Sequence, residues 1–326
     1  MSTILDELTR RGALTGGLSL AALLAVWGDP ALATDAAAGF PRTVPTGLGP
    51  VRIPRTPERI VTLGREADAV VALGRVPVAM PGSFSEPTKV DPWLVDRLGG
   101  QDVELLDPVT AVPFERIAVA RPDLILAGTF YEVDEHYERL SAIAPTVTYA
   151  RGWRIDTWQE QTLLVGRALA EEDAARAAVT EVEARIDAVR PDFEGRTFSW
   201  SYYYEPGAIA LIAHPEDSAA RFVQSLGLAF TPEVMALASG EVSSEVIGLE
   251  QLALLDADLL LMTHASPELR REIEANPLFT SVPAVADGRY VALDLQVNVA
   301  MRDPSVLRVA YALDELVPDL TKALRP

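Results

Sequence analysis

One arrangement of residues occurs twice in this chain, and it narrows the folds open to it. Phe114-Glu115-Arg116-Ile117-Ala118 leads to Asp123-Leu124-Ile125-Leu126, and Leu249-Glu250-Gln251-Leu252-Ala253 leads to Asp258-Leu259-Leu260-Leu261. In each copy a glutamate opens a short helical stretch, an aspartate follows, and an apolar strand begins at once. Two lobes made to one plan are the simplest reading. The length agrees, since 326 residues exceed the roughly 250–300 at which a single core gives way to two.

Between the copies lies a stretch without Gly or Pro, Glu172 to Val189, with Ala175, Val179, Val182, Ile186 and Val189 at helical spacing. At 1.5 Å per residue such a helix runs about 27 Å, and Pro191 is expected to end it. Before it, apolar runs at Ile60–Leu63, Val76–Ala79, Leu124–Ala127 and Thr146–Tyr149 alternate with helical segments. After Gly195 the runs Thr197–Tyr204, Ala208–Ala213, Leu259–Thr263 and Tyr290–Leu293 do the same. Strands alternating with helices give a mainly parallel α/β lobe. The expected fold is therefore α/β, with two Rossmann-like lobes bridged by a single long helix. Its boundaries are 51–170 for the first lobe, 171–191 for the helix and 192–326 for the second lobe.

Arg10-Arg11 precede the apolar run Ala13 to Val26, which is too short to span a bilayer, and Ala31-Leu32-Ala33 fits a signal-peptidase site. Residues 1–33 read as an export signal, cleaved near Ala33/Thr34, and 34–50 as a flexible leader. The arginine pair suits the twin-arginine route, while Ala13, where a bulky apolar residue is usual, leaves the Sec route open. With no cysteine, disulfides, thiolate catalysis and a lipid anchor through cysteine are excluded. A formal charge of −19 argues against nucleic acid as a partner. A location outside the cytoplasm, in the periplasm or cell envelope, and a monomer are expected.

Several segments together carry a family resemblance: Pro57 to Leu63, Phe114 to Leu126, Leu140-Ser141-Ala142-Ile143-Ala144-Pro145-Thr146-Val147, Glu250 to Leu261, and Val282-Pro283-Ala284-Val285 with Gly288-Arg289. On them the chain resembles the class III periplasmic binding proteins, which carry ferric siderophores, cobalamin or haem for ABC importers. The resemblance spans roughly Val51 to Leu324. Asp91-Pro92-Trp93 and the tryptophans Trp153 and Trp158 look most like the ferric-siderophore branch. It implies a cleft between the lobes, small opening motions, and two glutamates, Glu115 and Glu250, that dock the ABC permease. The preference of helix N-termini for negative charge accounts for those glutamates equally well.

In open α/β sheets ligands bind beyond the carboxyl ends of strands. The residues following the expected strands make the candidate contact set: Arg65, Ser83, Phe84, Tyr131, Trp153 and Arg154 from the first lobe, and Tyr203, His214, Arg221, His264, Asn298 and Arg302 from the second. Rings with guanidinium groups suit the planar arms and anionic oxygens of an Fe(III)-siderophore complex, whose iron stays with the chelator. Arg221 reads either as an anion contact in a helix's first turn or as an ion pair with Glu216 or Asp217. The three histidines lie far apart in sequence, so no direct metal site, cofactor or catalytic residue is expected. A haem or cobalamin carrier of the same fold is an alternative, with Tyr131, His214 or His264 as axial ligand. A secreted α/β hydrolase ranks lower, because no Gly-x-Ser-x-Gly elbow, His-Glu-x-x-His helix or Gly-rich phosphate loop appears.

Overall fold

The computed structural model describes residues 39–107, 112–153, 155–238 and 244–325. The expected export signal, the first part of the leader and Arg154 lie outside them. From Phe40 onward the expected leader is ordered: β1 (Arg42–Val44) pairs antiparallel with β2 (Val51–Ile53). Burial of Phe40, Val44, Val51 and Ile53 in the core holds this hairpin down.

The first lobe is a five-stranded parallel sheet of β3 (Ile60–Thr62), β4 (Ala79–Pro81), β5 (Glu104–Leu106), β6 (Leu124–Leu126) and β7 (Thr146–Val147). The order is β5-β4-β3-β6-β7, so the chain reverses its direction of travel between β3 and β6. Every residue of β3 and β6 is buried, which is why both read as unbroken apolar runs. The expected strand at Val76–Ala79 begins later, at Ala79, because Pro77 can donate no ladder hydrogen bond. Around the sheet lie α1 (Glu66–Ala72), α2 (Pro92–Val95), α3 (Phe114–Val119), α4 (Val133–Ser141) and α5 (Trp158–Leu169). A capping box starts α5: Glu160 N–H donates to Thr157 Oγ1 at 3.2 Å, and Thr157 N–H donates to Glu160 Oε2 at 2.8 Å.

The helix between the lobes, α6 (Glu172–Phe193), has 22 residues and a length of about 33 Å at 1.5 Å per residue. Ala175, Val179, Val182 and Ile186 form its buried stripe. Pro191 does not end it. A proline in the last turn forfeits a single intrahelical bond, and the chain leaves the helix at Gly195, whose φ of +79° a residue with a Cβ adopts only with strain.

The second lobe holds β8 (Thr197–Glu205), β9 (Ala208–Ile212), β10 (Ala229–Phe230), β11 (Ser244–Ile247), β12 (Leu259–His264) and β13 (Tyr290–Leu293). The order is β11-β9-β8-β12-β13, with β10 against the start of β8. β9 and β11 run antiparallel, unlike anything in the first lobe's sheet. The helices are α7 (Ser218–Ser225), α8 (Pro232–Met235), a 3-10 segment (Leu249–Leu255), α9 (Pro267–Glu274), α10 (Pro277–Thr280), α11 (Pro283–Ala286), α12 (Leu295–Arg302) and α13 (Val306–Ala323). None of the described helices is long and apolar enough to cross a membrane.

The sequence repeat has a shared structural job. Asp123, just before β6, accepts backbone N–H bonds from Glu58 and Arg59, the residues leading into β3. Asp258, just before β12, accepts from Thr197 N–H at 2.8 Å and Thr197 Oγ1 at 2.9 Å, at the start of β8. Each aspartate ties the start of its own strand to the start of the adjacent central strand. Burial works to raise the Asp258 pKa, but the Thr197 and Arg196 hydrogen bonds outweigh it and hold it below the usual carboxylate range.

Candidate functional site

The switch point of the first sheet lies beyond β3 and β6, and the two following loops are bound to each other. Arg65 N–H donates to Thr129 Oγ1 at 2.7 Å, and Thr129 N–H donates to Glu66 Oε1. Gly64 permits this approach, since a Cβ there would lie 2.1 Å from Thr129 Oγ1. Burial raises the Glu66 pKa, and its Oε2 has no hydrogen-bond partner among the described residues.

Across the cleft, Arg65 Nη1 meets Asp303 Oδ1 at 2.5 Å, and Ser85 Oγ donates to Gln296 Oε1 at 3.3 Å. Both acceptors belong to the second lobe, at the end of α12 and its start. Beneath these contacts runs a buried polar network. Asp68 accepts Trp93 Nε1–H at 3.0 Å, Ser305 Oγ–H at 2.7 Å and Arg308 Nε–H at 3.0 Å. Arg308 also reaches Asp91 Oδ2 at 3.3 Å, with its guanidinium carbon 4.9 Å from the Trp93 ring centre. Burial raises the Asp91 pKa and Arg308 opposes that shift. Sequence reasoning missed Asp68, Asp303 and Arg308, because partners so far apart along the chain leave no local signal.

Beyond the strand ends stand exposed apolar side chains. Phe84 is 75% exposed and Tyr131 67%, and Ile155 and Leu295 are exposed too. All four follow the carboxyl ends of strands β4, β6, β7 and β13, where a solvated loop has no packing reason to hold them. Tyr131 meets Trp153 edge to face, with centroids 4.8 Å apart. Ser83 lies buried beneath Phe84, its Oγ 3.2 Å from Ser85 Oγ. Nearer α6 the cleft deepens into a chamber of about 150 Å³ bordered by Arg65 and Arg221.

Several expected contacts are turned elsewhere. Tyr203 is 1% exposed, with its hydroxyl donating to Glu272 Oε1 at 2.8 Å and accepting from Gly207 N–H at 3.1 Å. Strand alternation puts it with Ser199 and Ser201 on the α9 face of β8, while Trp200 faces α12. His264 lies beside Tyr203 in register and shares that face. Its Nε2 is 3.1 Å from Tyr290 Oη, which donates to Glu274, and burial pulls its pKa down to about 4. Asn298 Oδ1 accepts from Trp200 Nε1 at 3.3 Å, inside the lobe. His214 Nδ1 accepts from Glu216 N–H and stabilises the turn before α7. Arg221 pairs with Glu216 at 2.8 Å, while Asp217 caps α7, and Arg302 Nη1 lies 3.5 Å from Ser244 Oγ. Glu115 and Glu250 are both exposed, near the starts of α3 and the 3-10 segment. Among the described residues no group of three or more His, Cys, Asp or Glu side chains converges as a metal cage would.

A sequence model described as periplasmic binding protein matches residues 60–297. The ferric-anguibactin-binding protein FatB of Vibrio anguillarum is 23% identical over 293 residues, covering 85% of this chain and 87% of FatB. The crystal structure of a periplasmic solute binding protein from Mycobacterium smegmatis superposes with a TM-score of 0.75 at 26% identity, over 87% of this chain and 98% of that one. Streptococcus pneumoniae PiaA, solved with ferrichrome, gives 0.71 at 22% identity, over 86% and 98%.

Proposed function

From the premise that the chain belongs to the periplasmic binding proteins, we propose that it captures a ferric siderophore in the inter-lobe cleft and delivers it to an ABC importer. The observation that carries this reading is the cluster of exposed rings at the strand ends, Phe84 and Tyr131 with Trp153, set around a cleft whose floor presents guanidinium groups. Rings provide stacking surface for planar chelate arms, and the guanidiniums of Arg65 and Arg221, each held by a carboxylate, border the space beside them. The names of two relatives, one for ferric anguibactin and one solved with ferrichrome, support an iron-chelate cargo. The iron remains a passenger held by its chelator, and the protein performs no chemistry on it.

Glu115 and Glu250 are the docking points for the permease in this proposal. Both are exposed, and the shared plan of the two lobes presents one on each. Charge-assisted bonds to arginines of a symmetric partner suit such a pair. The protein works outside the cytoplasm, as a monomer.

The test is a titration of the mature chain with ferric hydroxamate, catecholate and carboxylate chelates, followed by tryptophan fluorescence, with haemin and iron-free chelators as controls. At least one ferric chelate quenches saturably, and the iron-free forms bind more weakly. Binding of haemin alone, or of no chelate, would sink the reading.

A further inference from the structure

The chamber at the cleft floor is too small for a whole chelate. Its volume of about 150 Å³ is about that of a cavity that accommodates one benzene ring, whereas sites for complete small molecules span about 300–1,000 Å³. Whatever enters is one arm of a larger molecule.

The walls say which kind of arm. Trp158 and Ile186 from α5 and α6, Phe222 from α7, and Pro304 line it, so most of what an occupant touches is ring or hydrocarbon. Two guanidiniums border it from opposite lobes, yet both already have carboxylate partners: Arg65 has Asp303 at 2.5 Å and Arg221 has Glu216 at 2.8 Å. The carboxylate of Asp156, also on the wall, accepts the N–H groups of Ala150 and Arg151. An aliphatic carboxylate arm would bring uncompensated charge into a space whose positive charges are spoken for.

Resting on the iron-chelate reading above, we infer that this chamber seats one aromatic arm of the cargo, ring against Trp158 and Phe222. The cargo is therefore an aryl-bearing chelate, not one built from aliphatic carboxylate arms alone. Because the walls come from both lobes and α6, the arm also bridges the lobes from within.

Fragment binding to the full mature chain tests this. The probes are 2-hydroxybenzamide and 2,3-dihydroxybenzamide, against citrate and acetohydroxamate. The aryl amides are expected to bind at least tenfold more tightly than the aliphatic probes, with NOEs from their ring protons to the Trp158 indole. Ser225→Leu, which fills the chamber from α7, lowers their affinity at least tenfold, its fold checked by thermal melting. Aliphatic probes binding as tightly as aryl ones, or aryl probes without NOEs to Trp158, overturn the inference whatever the variant does. If a folded Ser225→Leu variant keeps full affinity for the ferric chelate that the wild type binds, the chamber is idle and only this inference falls. Failure of the wild type to bind any ferric chelate instead removes the functional reading on which it rests.

Discussion

The two lobes share a plan but not a means of finishing their interiors. In the second lobe the buried polar groups are answered locally: Tyr203 by Glu272, His264 by Tyr290, and Ser199 by the Leu255 carbonyl. In the first lobe Asp68 and Asp91 are answered by Arg308 of α13, and Arg65 by Asp303, all supplied by the far end of the chain. The second lobe answers these groups within itself, whereas the first lobe's are answered by its neighbour. A shared plan does not imply equal autonomy.

The sharpest way to break that contrast is Arg308→Ala. It strands two buried carboxylates, and losing one partner of a buried pair costs about 3–5 kcal/mol. The denaturation midpoint should fall accordingly. Amide exchange should rise first in α1 and α2, with the β8–β12 ladder protected. Equal loss of protection in both lobes would erase the distinction drawn here.

The next effect belongs to the second lobe. His264 has a folded pKa of about 4 against an ordinary 6.5, so the unfolded chain takes up its proton first as pH falls. Stability is whole above pH 6.5 and declines as pH drops toward 4, by about 1–2 kcal/mol once solvent screening of this half-buried group is allowed for. His264→Gln should flatten that part of the pH profile. An unchanged slope in chemical denaturation series would show that another group is responsible.

Of similar size are the paired clamps. Asp123→Ala and Asp258→Ala each remove charge-assisted bonds at a strand start and should cost about 1–2 kcal/mol. Similar losses support one device used twice, whereas a loss confined to one lobe would make the repeat a coincidence of sequence. The smallest change in stability is expected from Glu115→Ala with Glu250→Ala, within about 0.5 kcal/mol for exposed positions. Chelate affinity stays while import stops. Undiminished import by the double variant refutes the docking role.

How much of this was legible beforehand follows from which interactions are local. The paired lobes, the long helix and the central strands were readable because apolar period and the Glu–Asp spacing are properties of neighbouring residues. Ring-bearing residues after strands could be named for the same reason, and Phe84 and Tyr131 indeed stand exposed. Tyr203 could not be oriented, because one residue of strand register decides which face it takes. Pro191 looked like a stop, and only the geometry of the last helical turn shows that it is tolerated. Arg65 was visible as a candidate, but its partner Asp303 was not, since pairing across the whole chain is written in the tertiary structure alone.

The position of Arg308 also orders events in time. A ribosome makes Asp68 long before Arg308, which lies 240 positions further on. Throughout that interval the nascent first half has an interior with acidic groups and no counterion, so it waits, incomplete, for the last helix. The first lobe's interior is thus completed only when the C-terminal helix docks across it.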